Sequence, residues 1–423
     1  MKAEEPWRRR SSTPEGSTAW QLLLLALTVT AANYARFAIG PFQEMLKGAL
    51  ALSDNQIALL QGPALALPTV LAAIPVGFLI DRCPRVRLLF LLAVLTFSGS
   101  VLTALASSFP MLFVARCLVG VSAAATTTAT FSLLADLYVP ERRGRANMFV
   151  IIGQVIGASV TYAAGGALLA EMGPSGWHLA MFTMLTPLLL LVVAPLWMRE
   201  PGRTGVVLDK PSAHLALREL WGYRRIVTPL VAGVVMVSIA ECAALIWAAP
   251  TFARSYGLSS DDIGAIMSMA LLVSGFTGAL VGGPLADLCQ KAGGPKRTLS
   301  ALSGLLLLSI PASLFGTMPD AVSASVVLVV FMTIGTVIGL GATTLATVVI
   351  PSELRGLLLA LLFALGTVFG IGLAPVAVSL LSNLVGGPAM IGRALTLVCM
   401  TGSSIGTLIF AIGKRHIPTQ LPC

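Results

Sequence analysis

The chain has 423 residues, of which 56% are hydrophobic and 11% charged, with a net charge of +9. Soluble proteins of this size carry about 25% charged residues, so the composition excludes an ordinary water-soluble fold. Six cysteines without metal-ligand spacing and three scattered histidines give no cofactor or metal site, and no Walker-type loop or Ser/His/Asp set points to an enzyme.

In chain order, residues 1–17 are polar and read as a disordered start. Arg8-Arg9-Arg10 before an apolar run resembles a signal peptide. The run is too long, lacks a convincing cleavage site and contains Arg36, so it reads as a retained first helix. Twelve apolar runs follow, near 19–42, 56–79, 88–108, 111–138, 147–170, 178–198, 227–253, 262–288, 298–317, 322–350, 356–383 and 390–413. Each has about the 20 residues that a helix needs to cross a hydrocarbon core. Runs this continuous are not barrel strands. The expected fold is an all-α membrane protein of twelve transmembrane helices in two pseudo-symmetric six-helix halves.

One long polar connection divides the chain, giving an N-terminal half at 18–198, a linker at 199–226, a C-terminal half at 227–413 and a tail at 414–423. Within the linker, His214 to Arg225 reads as an amphipathic helix for the membrane surface. With the N-terminus in the cytoplasm, 22 of the 27 basic residues fall on the cytoplasmic side. Only Lys47, Arg254 and Arg393 lie opposite, and Arg36 and Arg116 fall inside spans. This asymmetry orients an integral plasma (inner) membrane protein with both termini cytoplasmic. Bases dispersed over short turns do not form a nucleic-acid surface. The expected partners are the lipid bilayer and a small-molecule substrate, with protons as a candidate coupling ion; a monomer is expected.

The halves repeat. Gly77-Phe-Leu-Ile-Asp81 returns as Gly283-Pro-Leu-Ala-Asp287, 206 residues later, and the same offset pairs Ser53 with Ser259. The turn Pro140-Glu-Arg-Arg143-Gly144 returns as Pro351-Ser-Glu353-Leu-Arg355-Gly356. Parallel duplication of a helical half is a construction principle of secondary transporters.

Gly77-Phe-Leu-Ile-Asp81-Arg82-Cys-Pro-Arg85-Val-Arg87 resembles the loop between spans two and three of the major facilitator superfamily, and Arg116-Cys-Leu-Val-Gly120 resembles its span-four motif. Asn33-Tyr34-Ala35-Arg36 and the stretch Trp247 to Ser259 are most similar to spinster-type and organic-anion carriers. Ala35 and Ala123 stand where that resemblance expects carboxylates, and Ala158 stands where an antiporter signature has proline. The resemblance implies a secondary active transporter of a small anionic or amphipathic solute, working by alternating access and proton-coupled. An uncoupled facilitator of the same fold is the nearest rival, and a non-transporting membrane sensor is the rival from another class.

Arg36 is a charge inside the hydrocarbon zone, suited to an anionic substrate group, the alternatives being a structural ion pair or snorkelling. Tyr34, Asn33, Gln61, Gln154, Tyr162, Trp247 and Asn383 are further substrate-binding candidates. Glu241 is the only acidic residue deep in a span, and 241 − 206 = 35 places it opposite Ala35. Glu241 is therefore the candidate proton switch, alternating between a proton and Arg36 or the substrate, with Arg116 as a second coupling candidate; a neutral, hydrogen-bonded Glu241 is the other reading. Asp81, Arg82, Arg85, Asp287, Arg143, Glu353 and Arg355 are the gating candidates, read as a latch that holds the cytoplasmic side shut in the outward-facing state. The alternative is that they only enforce topology.

Overall fold

The computed structural model describes residues 15–202 and 213–416. Nearly all of the expected N-terminal segment and tail, and the middle of the linker, lie outside the described residues. Helices α1 (Glu15–Phe37), α2 (Gln43–Ala49), α3 (Asp54–Gln61), α4 (Pro63–Arg82), α5 (Arg85–Ala104), α6 (Phe109–Leu137), α7 (Pro140–Met172) and α8 (Trp177–Val192) build the first half. The linker contributes α9 (Ala213–Gly222). Helices α10 (Arg224–Tyr256), α11 (Ser260–Ala312), α12 (Ala321–Val349), α13 (Ser352–Leu365), α14 (Ala374–Val385) and α15 (Ile391–Gly413) build the second.

Among the described residues ten helices are long and apolar enough to cross a membrane. One of them is α11, which bends at Gly293-Gly294 and so counts as two spans. Helix α1, 23 residues long, adds the twelfth; Gln21, Asn33 and Arg36 dilute its hydropathy. Gly294 has φ +64, a left-handed backbone open to glycine, and Pro295 starts the next helix at once.

Three expected spans differ in detail. The first helix stops at Phe37 rather than 42, because Gly40-Pro41 cannot continue it. A Cβ at Gly40 would overlap the Tyr162 ring. The second span breaks between α3 and α4 at Gly62-Pro63. The eleventh is interrupted by a π-helical turn, Gly366–Leu373, between α13 and α14. A Cβ at Gly370 would stand 2.9 Å from Ser238 of α10, so glycine lets the widened turn approach that helix.

The repeat survives as geometry. Ser53 and Ser259 both cap helices, accepting from the Gln56 and Asp262 backbone N–H at 3.2 Å each. Helices α6 and α12 each have 29 residues, displaced by 212. Arg143 donates to the Tyr138 carbonyl at 3.0 Å, and Arg355 to the Ile350 carbonyl at 3.2 Å, each closing the end of its helix.

We call the face where α1 begins and α15 ends the terminal face, and the opposite one the far face. Near the far face one buried core runs through both halves, from Tyr34 to Cys399. Toward the terminal face the core divides. One part holds only first-half residues such as Leu25, Leu89 and Leu133, the other only Leu220 onward, such as Leu302, Leu345 and Phe410. The molecule is therefore sealed at the far face and separated at the terminal face.

The duplicated caps carry a test. Ser53→Ala and Ser259→Ala each cost about 1 kcal/mol, and the double variant costs their sum because the sites share no partner. Thermal unfolding in detergent reads this as equal, additive falls in melting temperature.

Candidate functional site

The densest polar contact between the halves lies at the far face. Arg254, two residues before the end of α10, donates to Glu44 of α2 at 2.6 and 3.0 Å and to Asp54 of α3 at 2.8 and 2.9 Å. Its Nη1 also reaches the Pro388 carbonyl at 3.3 Å. Lys47 stands 2.6 Å from Asp54, whose side chain is 2% exposed. A planar guanidinium is the side chain that can serve two carboxylates at once. Beside it, Ser379 and Asn383 of α14 donate to Asn55 of α3 at 2.5 and 3.3 Å. Gly166 of α7 and Gly264 of α11 pack backbone to backbone, a Cβ on either lying 2.9 Å from the other's Cα.

The sequence reading did not find this clamp. Repeat arithmetic cannot reveal it, since Gly48 and Pro250 occupy the places matching Arg254 and Glu44. The available signal was charge. On a face almost bare of bases, Lys47 and Arg254 accompany Glu44 and Asp54.

The gating candidates gather at the terminal face. Arg85, 3% exposed, contacts Asp136 at 2.5 Å and Glu200 at 3.2 Å and donates to the Ser132 carbonyl at 3.1 Å. Glu200 also accepts from the Val86 N–H at 2.7 Å, at the positive start of α5. These bonds tie α5, α6 and the segment after α8 within one half. Asp81, Arg82 and Asp287 are exposed, and among the described residues Asp81 and Asp287 form no ion pair. The Arg82 guanidinium lies 5.6 Å from the Phe78 ring centroid. Arg143 and Arg355 are spent on helix ends, and Glu353 is an exposed residue in the first turn of α13.

The two intramembrane arginines differ in kind. Arg116 is 1% exposed; it donates to the Arg36 carbonyl at 2.7 Å and toward the Leu60 carbonyl at 3.5 Å. It thus serves carbonyls where α1 ends and where the second span breaks. Arg36 is partly exposed; its guanidinium lies 5.8 Å from the Phe37 ring and makes no ion pair or hydrogen bond among the described residues. Glu241 is also partly exposed and also without such a partner there; its carboxyl lies against Gly335 of α12. Arg36 and Glu241 are not within ion-pair distance of each other.

The remaining candidates scatter. Tyr34 lines a cavity of about 20 Å³ with Arg116, Ser100 and Thr103, room for a water. Asn33 bonds the Val29 carbonyl at 3.1 Å within its own helix. Gln61 donates to Gln43 at 2.8 Å beneath the far-face turn. Trp247 is fully buried, its indole N–H on the Pro375 carbonyl at 3.0 Å. Tyr162 reaches the Leu245 carbonyl across the halves at 3.4 Å. Gln154 is partly exposed, between Gly153, packed on Thr30 of α1, and Val155, packed on Gly275 of α11. Asn383 belongs to the far-face contact.

Residues 25–375 match the family described as Major Facilitator Superfamily. The chain belongs to that superfamily. It is accordingly an integral membrane transport protein and not an enzyme. An MFS-type efflux pump of Mycolicibacterium smegmatis is 28% identical over 421 residues, covering 94% of this chain and 93% of the pump. The 4-hydroxybenzoate transporter PcaK of Pseudomonas putida is 34% identical over 144 residues, covering 33% of this chain and 31% of that protein. The crystal structure of a bacterial homolog of the human lysosomal transporter Spinster, inward-facing and unoccupied, aligns with TM-score 0.77 at 21% identity, covering 96% of this chain and 97% of that one. It shares the superfamily fold.

The far-face clamp predicts a conformational phenotype. Arg254→Ala leaves Glu44 without its partner and Asp54 with Lys47 alone, and weakens the sealed state by about 2 kcal/mol. A cysteine at Ser379, in a cysteine-free background, becomes at least about tenfold more reactive to an impermeant maleimide. Unchanged labelling sinks the assignment.

Proposed function

We propose that the chain is a secondary active transporter of a small organic anion or amphipath, driven by protons and working by alternating access. The observation that carries this reading is the pair Arg36 and Glu241. Each is a charge-bearing side chain within the spans, and neither has a protein partner among the described residues. Charges in the hydrocarbon zone are costly and persist where a ligand, ion or watery cavity receives them. A free guanidinium suits a carboxylate or phosphate; a lone carboxyl in a bundle suits a proton. Arg116, by contrast, is committed to backbone carbonyls and serves as scaffold in this conformation.

With the termini placed in the cytoplasm of a plasma-membrane protein, as the charge asymmetry supports, the sealed far face is extracellular and the conformation faces inward. The exposed Asp81 and Asp287 are consistent with a cytoplasmic latch that is released in this state and engages when the terminal face closes. Arg85 would hold the first-half side of that latch rigid. The 4-hydroxybenzoate transporter among the relatives supports an organic solute. An uncoupled facilitator is the second reading, favoured by Ala35 and Ala123.

The test begins with a thermal-shift screen of organic acids, sugars and lysolipids, with 4-hydroxybenzoate first; ligand at 100 times its Kd stabilises by about 2.7 kcal/mol. In proteoliposomes with an imposed proton gradient, wild type accumulates the hit. Glu241→Gln keeps exchange but loses gradient-driven accumulation, and Arg36→Ala lowers uptake at least about tenfold. Accumulation that ignores the gradient in wild type rejects coupling in favour of the facilitator.

A further inference from the structure

The Glu241 carboxyl occupies a slot that exists only because Gly335 has no side chain. A Cβ at Gly335 would overlap the carboxyl and stand 2.7 Å from Glu241 Cγ. One turn further along α12, a Cβ at Gly339 meets nothing within 4 Å. The slot is therefore local to Gly335.

The duplication shows what is unusual about it. The 212-residue displacement of α6 and α12 places Gly335 where the first half has Ala123, since 335 − 212 = 123. Glu241 stands where the first half has Ala35. One half carries two short side chains at these places; the other carries a long acidic one and a void that receives it.

The surroundings offer little competition for the carboxyl. Cys242 neighbours it on α10, and Cys399 of α15 is turned to the Ala240 carbonyl at 3.4 Å. Helix α12, the π turn and α14 carry no charged residue; the charges of α11 lie at its start and around the bend at Gly293-Gly294, and those of α13 and α15 near their starts. Arg36 is the remaining charge, from the other half.

We propose that Gly335 is a positioning residue: its slot parks the Glu241 carboxyl against α12, away from Arg36, in the state sealed at the far face. Release of the carboxyl into the space between the halves then accompanies movement of α10 against α12. This rests on the coupling role given to Glu241 above, and the experiment separates the two.

The probe is a fluorescent hydrophobic carbodiimide, which reacts with protonated carboxyls in apolar surroundings, applied to the full-length protein in liposomes with labelling mapped to Glu241 by mass spectrometry. Gly335→Ala turns the carboxyl out beside Arg36. Labelling at neutral pH falls roughly threefold to tenfold, and its half-maximal pH drops by about one unit. Adding Arg36→Ala reverses most of that drop. Gly339→Ala, on the same helix, changes neither quantity. If Gly335→Ala does not fold, Glu241→Asp, one methylene shorter, withdraws the carboxyl from the deepest part of the slot and gives a smaller change in the same direction with Gly335 intact. Rates and pH profiles equal to wild type in the first variant, or in the second where the first is lost, overturn the proposal. If the displacement is seen but Glu241→Gln keeps gradient-driven transport, the slot stands and the coupling role falls. If labelling is unmoved while Glu241→Gln abolishes coupling, the slot falls alone.

Discussion

The far-face seal depends on one guanidinium. Arg254 leaves the second half and is received by two carboxylates of the first, one of them almost wholly out of water. Within a low-dielectric site such bonds are strong, but parting them exposes charges that must be rehydrated. Opening is therefore inseparable from entry of water at that face. The two sides of the clamp do not lose equally. Lys47 belongs to the same half as Asp54 and stays with it, so the acid keeps a counter-ion while Arg254 loses both of its own. The small residues beside the clamp, Gly166 and Gly264, add close contact without charge, so the seal combines a polar lock with a packed seam.

Toward the middle of the bundle the same residue types do opposite work. Arg116 and Arg36 are both intramembrane arginines, and their difference comes from the breaks in the neighbouring helices. Helix ends leave carbonyls without partners, and Arg116 is placed where two such ends meet. Arg36, whose own carbonyl is one of those served, has no side-chain hydrogen bond among the described residues. Glu241 likewise has no counter-charge among the described residues, its carboxyl lying against Gly335.

Much of the architecture was legible in advance because lipid leaves few choices. Apolar run lengths located the twelve spans, and the 206-residue offset anticipated matched caps at Ser53 and Ser259. What escaped had a physical cause. Gly40-Pro41, Gly62-Pro63 and the glycines of the π turn interrupt helices without lowering hydropathy, so the runs looked continuous. The clamp at Arg254 breaks the repeat, so a reading guided by the repeat passed over it. Arg85 was grouped with Asp81 by adjacency, yet Arg85 turns inward to Asp136 and Glu200 while Asp81 faces outward. Which of two neighbours in a loop is buried is settled by tertiary partners, a matter on which spacing is silent.

Helix α9 places a bound on how far the two halves can part. Leu220 is buried in the second-half core beside α13, so the linker is moored to that half well before α10 begins. Only the stretch between Gly202 and Ala213 remains to join the two halves at the terminal face. Whatever path it takes, eleven peptide links reach at most about 35–40 Å. The covalent chain thus acts as a leash whose length is written into the gene, and it caps how wide the terminal side can open however large the cargo.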